Sequence, residues 1–220
     1  TVTRDGIRIT GTGGSGLLGD GDIVVQNNTI APNTADAVGE SAVFVSGTAA
    51  GTVSVLDNSI AAGIDASIGD DAIHVQDTSL GGTTVGGNTI GGSSATIDGN
   101  GIAVLRSGGD VTVDSNIVGV SDAQFAGNGI LVDRTGGATG VFVTGNTVGD
   151  GSGVSIALDG IHVSNTTISA YVSGNTIGGG SIGDDAIEVV TTTMNVSVGG
   201  NIVLNASDIG IRVGGTGGHA

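Results

Sequence analysis

Val111-Thr112-Val113-Asp114-Ser115-Asn116-Ile117-Val118 sets one asparagine at the end of an alternating valine run, with an aliphatic residue two positions further on. The same frame returns around Asn28, Asn58, Asn88, Asn146, Asn175 and Asn201, at steps of 30, 30, 28, 30, 29 and 26 residues. Five and three residues before these asparagines stand Ile23/Val25, Val53/Val55, Thr83/Val85, Val111/Val113, Val141/Val143, Ala170/Val172 and Val196/Val198. Two residues after them stand Ile30, Ile60, Ile90, Val118, Val148, Ile177 and Val203. Apolar residues at period two mark strands with one face inward. A repeat of about 30 residues marks a solenoid whose coils bury a core only by stacking. The turn between the strands is often Gly-Asn, at Gly87, Gly145, Gly174 and Gly200. That suits a backbone passing through positive φ, which asparagine itself tolerates best after glycine.

A second motif lies between the asparagines: Asp5-Gly6-Ile7-Arg8-Ile9, Ser41-Ala42-Val43-Phe44-Val45, Asp71-Ala72-Ile73-His74-Val75, Asn100-Gly101-Ile102-Ala103-Val104 and Asn128-Gly129-Ile130-Leu131-Val132. It continues at Asp159-Gly160-Ile161-His162-Val163, Asp185-Ala186-Ile187-Glu188-Val189 and Ile209-Gly210-Ile211-Arg212-Val213. The two motifs together predict an all-β fold of about seven coils of 26–30 residues. Each coil has three short strands, a tight Asn turn between the second and third, and one variable loop before the first. Residues 1–220 read as one β-helix, a segment or repeat unit of a longer rod. Seven coils at the usual strand spacing span about 34 Å.

This pattern resembles the right-handed parallel β-helix of the pectin-lyase-like superfamily, which includes secreted bacterial adhesins and autotransporter passengers. The resemblance covers nearly the whole chain and implies the fold. It leaves activity open, because such scaffolds carry lyases, hydrolases, tailspikes and inert stalks alike.

Composition narrows the classes. Glycine supplies 45 of 220 residues, proline one, and charged residues 12%, which favours strands joined by glycine turns. Against 21 Asp+Glu stand five basic residues, all arginine, for a net charge of −16. Nucleic acids and anionic membranes need clustered Lys or Arg, so the expected partners are cationic, neutral or bridged by divalent metal. No cysteine is present, so disulfides and thiolate chemistry are excluded. No apolar run is long enough to span a bilayer.

The opening Gly6-Ile7-Arg8-Ile9-Thr10-Gly11-Thr12-Gly13-Gly14 matches the closing Gly210-Ile211-Arg212-Val213-Gly214-Gly215-Thr216-Gly217-Gly218 at seven of nine positions, 204 residues apart. Together with a start at Thr1, this suggests a mature product or an excised unit of something longer. It names Ile7, Arg8, Ile9, Ile211, Arg212 and Val213 as an axial interface, where copies pair head to tail. Like-charged arginines facing each other need a carboxylate nearby, with Glu188 the candidate.

Two columns hold the residues able to do chemistry. The outward residues of the first strand are Arg8, Phe44, His74, Ala103, Leu131, His162, Glu188 and Arg212. His74 and His162 lie too far apart to share a proton or metal, whereas His162, Glu188 and Arg212 fall on successive coils and form a charge ladder or, in an enzyme, part of a catalytic face. Asp5, Asp71, Asn100, Asn128, Asp159 and Asp185 line the strand entry, with Asp70 and Asp184 just before two of them. Asp70, Asp71, Asp184 and Asp185 are candidate Ca²⁺ ligands, and simple turn chemistry accounts for the same residues. Asp20-Gly21-Asp22 lacks the repeated nonapeptide of a calcium-loading β-roll.

The aromatics are Phe44, Phe125, Phe142 and Tyr171 alone, too few for a usual sugar cleft. Phe142 and Tyr171 fall at the same position in adjacent coils and are expected to stack, as packing or as a surface contact. The Thr29, Ser59, Thr89, Thr147, Thr176 column is one residue wide and broken by Ile117 and Ile202, unlike a flat ice-binding array.

The expected function is a non-catalytic structural or adhesive rod, extracellular or on a bacterial or archaeal cell surface. Its partner is itself, stacked end to end into a filament or stalk, with other surface or matrix components as further partners. A calcium-dependent surface-layer or matrix module and a polysaccharide lyase or hydrolase are the alternatives. No catalytic residue is named, and Ca²⁺ is the one candidate cofactor.

Overall fold

The computed structural model describes residues 1–11, 22–47, 51–78, 81–137, 139–215 and 217; Asp20, Gly21 and parts of the two matching Gly-rich segments lie outside them. The chain is a parallel β-solenoid of about six turns whose strands stack into four parallel sheets. Sheet I holds Ile7–Thr10, Val43–Ser46, Ile73–Gln76, Ile102–Leu105, Ile130–Asp133, Ile161–Ser164, Ile187–Val190 and Ile211–Gly214. Sheet II holds the valine runs, from Ile23–Gln26 to Val196–Gly199. Sheet III is the column of two-residue strands after each asparagine, from Thr29–Ile30 to Ile202–Val203. No helix occurs among the described residues, and so none is long and apolar enough to cross a membrane.

Two expectations are corrected. Each coil has four strands, not three, because the segment read as a variable loop contains sheet IV: Ala37–Val38, Ser67–Ile68, Thr96–Ile97, Gln124–Phe125, Ser155–Ile156 and Ser181–Ile182. Each of these strands has two residues and one inward side chain, so it shows no alternation to count. The turns number about six, not seven, because the chain after Ile202–Val203 returns to sheet I without a sheet IV strand.

Every neighbouring pair of strands is parallel and in one-to-one register. Ile102, Ile130 and Ile161 align in sheet I, and Val85, Val113 and Val143 in sheet II. Register this strict follows from a core that admits only the alternate residues, since a slip by one would turn every apolar side chain outward. Val43, Ile73, Val104, Val111, Val143, Ile161 and Ile177 are among the wholly buried side chains.

The turns show where positive φ is needed. It falls on the residue before each ladder asparagine, namely Asn27, Asp57, Gly87, Ser115, Gly145, Gly174 and Gly200, with φ between 53° and 66°. The seven ladder asparagines themselves do not adopt it. Glycine serves at four of the seven, and short polar side chains that tolerate this region serve at the rest. The asparagine is therefore selected for its side chain.

Candidate functional site

The asparagine side chains form one continuous hydrogen-bonded column. Asn116 Nδ2 donates to Val85 O at 2.9 Å and to Asn146 Oδ1 at 2.9 Å, and its Oδ1 accepts from Asn88 N at 3.0 Å and Asn88 Nδ2 at 2.9 Å. The same contacts link Asn28 to Asn58, Asn58 to Asn88, Asn146 to Asn175 and Asn175 to Asn201. Asn58, Asn88, Asn116, Asn146 and Asn175 are buried. An amide suits this place because it carries both donor and acceptor, so each coil satisfies the next.

A second column runs the opposite way at the entry to sheet I. Asp5 Oδ1 accepts the backbone N–H of Ser41, Asp71 Oδ1 that of Asn100, Asn100 Oδ1 that of Asn128, Asn128 Oδ1 that of Asp159, Asp159 Oδ1 that of Asp185, and Asp185 Oδ1 that of Ile209. These residues do more than shape a turn: each caps the strand of the next coil. The other carboxylate oxygen is held by a base three residues on. Asp5 Oδ2 meets Arg8 at 2.5 Å, Asp71 Oδ2 meets His74 at 2.7 Å, and Asp159 Oδ2 meets His162 at 2.7 Å.

Asp185 breaks this rule, because the residue three positions on is Glu188. Its Oδ2 is buried and accepts no hydrogen bond; Arg212 Nη1 of the next coil stands 3.7 Å away. Arg212 also reaches Glu188 Oε1 at 3.3 Å, and Glu188 Oε2 lies 2.9 Å from His162 Nδ1. The anticipated ladder His162–Glu188–Arg212 thus exists, with a carboxylate beside the arginine. At the other end Arg8 meets both Asp5 and Glu40, and its guanidinium lies 4.4 Å over the Phe44 ring.

The two candidate Ca²⁺ pairs differ. Asp70 Oδ2 accepts from Ser41 Oγ, and Asp71 has both oxygens engaged, by Asn100 and His74. Carboxylate oxygens of Asp159, Asp184 and Asp185 come within 4.8 Å of one another. Partial desolvation and then the charges of Asp159, Asp185 and Asp208 push the Asp184 carboxyl up from the ordinary aspartate value. The sequence pairs Asp184 with its neighbour Asp185, and the stack adds Asp159, which that pairing does not include. The repeat offset of 26 residues that puts Asp159 above Asp185 was the available signal.

His74 also titrates in a defined direction. Burial opposes its imidazolium, but the Asp71 hydrogen bond and charge, Gln76 and Asp70 together outweigh it and raise the pKa above 6.5. A raised folded-state value means that this histidine stabilises fully below 6.5 and that the contribution is lost as pH rises through the folded value. His162, raised in the same sense by Asp159 and Glu188, adds to it. The melting temperature is expected to fall as pH rises above about 6.5, and His74→Gln to shrink that fall. An unchanged pH profile in the variant would contradict the assignment.

Phe142 and Tyr171 stack at a centroid distance of 5.1 Å and an interplanar angle of 5°, with Tyr171 exposed. The axial residues lie at the two ends of sheet I, with Ile7 to Ile9 paired only to the Val43 strand and Ile211 to Val213 only to the Ile187 strand. A concavity of about 360 Å³ opens at the first coil, lined by Val2, Ile7, Ile30 and Val38 among others. No family model, curated protein or solved structure matches this chain.

Proposed function

We propose that this chain is a non-catalytic segment of an extracellular or cell-surface rod, its end faces covered by further coils of the same kind. The observation that supports the reading is the contrast between interior and ends. Interior sheet I isoleucines are fully buried, while Ile209, Ile211, Val213 and Leu204 of the last coil have 38–64% of their surface exposed, and Val2 is exposed at the first. An open strand edge over an apolar core is a template for another coil. The near-identical sheet I strands at the two ends supply one in matching register, giving a head-to-tail contact that grows rather than closes. A right-handed helix of the pectin-lyase-like kind is the form we assign, since parallel crossovers take that hand almost always.

Sedimentation velocity over a concentration series tests the contact. The wild type is expected to associate, more strongly at higher salt because a net charge of −16 repels itself. Leu204→Glu with Ile211→Glu is expected to abolish the association. A wild type that stays monomeric at every concentration and salt, or a double variant that associates equally, overturns the reading.

A further inference from the structure

We infer that Asp159, Asp184 and Asp185 form a Ca²⁺ site that ties two successive coils together. Asp5, Asp71 and Asp159 each pair their second oxygen with a cationic or protonatable side chain three residues on. Asp185 has Glu188 there, so the stack puts two carboxylates where those three coils put one carboxylate and one base. The Asp185 side chain is only 1% exposed, and its Oδ2 accepts no hydrogen bond. A buried carboxylate oxygen without a donor is costly unless a cation meets it. Arg212 at 3.7 Å, half exposed and shared with Glu188, is a weak answer.

The surroundings select the cation. Carboxylate oxygens of Asp159, Asp184 and Asp185 lie within 4.8 Å of one another. Oxygen ligands at roughly 2.3–2.6 Å from a central ion span up to about 5 Å, so the grouping admits Ca²⁺, while Mg²⁺ dehydrates reluctantly and is seldom held by carboxylates of the protein alone. Three hard anionic oxygens favour a hard cation over a softer transition metal. Asp184 stands exposed at the rim and closes the site from outside, with Asp208 of the next coil stacked below it through the Asp208 N–H to Asp184 O bond at 3.2 Å. The Asp70–Asp71–His74 cluster does not repeat the arrangement: Asp71 and Asp159 both have their two oxygens engaged, but Asp70 is engaged by Ser41 and nothing there matches the buried, unsatisfied Asp185 Oδ2. This inference stands on the local geometry and is independent of end-to-end assembly.

The test is calorimetric titration of the whole chain, stripped with chelator, with CaCl₂ and in parallel with MgCl₂ at matched ionic strength, together with melting temperatures. Saturable Ca²⁺ binding with a rise in melting temperature is expected, with Mg²⁺ much weaker. Asp185→Asn is expected to abolish binding. Asp184→Asn, an exposed change that leaves the ladder intact, is expected to weaken it about tenfold, since affinity follows ligand charge count. Asp98→Asn, exposed and elsewhere on the rod, serves as control and should bind as wild type. No Ca²⁺ binding up to about 10 mM, equal effects of Mg²⁺, or full affinity in Asp184→Asn would overturn the site.

Discussion

Replacing Asn116 by leucine is expected to destabilise the solenoid by about 2–5 kcal/mol, read as a lower urea midpoint. Leucine matches the volume but neither donates nor accepts. The Asn88 N–H and the Val85 carbonyl both lose their bond to the side chain in the middle of the stack, where water does not reach. Each group left unsatisfied costs about 1–3 kcal/mol. Aspartate in its place is expected to be no better, since it keeps the acceptor, loses the donor and adds a buried charge. Asn201, partly exposed, should lose much less on the same change. Equal stabilities of wild type and Asn116→Leu would reduce the column to a convenient turn.

Ile130→Ala is expected to cost about 2–5 kcal/mol, the range for removing a buried isoleucine side chain from a core that cannot collapse around the gap. Ile130 has register partners on both sides, Ile102 and Ile161, and no exposed surface. Ile211 occupies the same column with one partner, Ile187, and is 45% exposed. Its replacement by alanine should cost about 1 kcal/mol or less in dilute monomer, since the area removed from burial is roughly half and no closed cavity forms. Stability in a stacked array is set by nearest neighbours, so position along the rod decides the loss. If the two variants lost equally, a coil beyond Ile211 would already be seated there in solution.

The fold was legible because its two strongest signals repeat. The Val-x-Val runs before Asn58, Asn116 and Asn146 and the Ile-x-Val runs at Ile73, Ile102 and Ile130 alternate over enough residues to reveal one buried face. Sheet IV was not legible, since Ser67–Ile68 or Gln124–Phe125 offers a single inward side chain between glycines and polar residues. The ladder of Asn28 to Asn201 could be foreseen from periodicity and amide chemistry. The capping role of Asp5, Asn100 and Asp159 could not, because a strand-entry Asp before Gly looks like any turn until the next coil's N–H is seen pointing at it. The Asp159–Asp184–Asp185 grouping needed the stacking register, which places residues 26 apart in sequence side by side.

Small-angle X-ray scattering over a concentration series separates growth along the rod axis from lateral association. A rod that extends through its end faces grows in length while its cross-section stays that of one solenoid. We predict a constant cross-sectional radius of gyration, with a maximum dimension that lengthens as concentration rises and stops lengthening in Leu204→Glu with Ile211→Glu. A cross-section that thickens with concentration, or a maximum dimension fixed at that of one chain throughout, would contradict it.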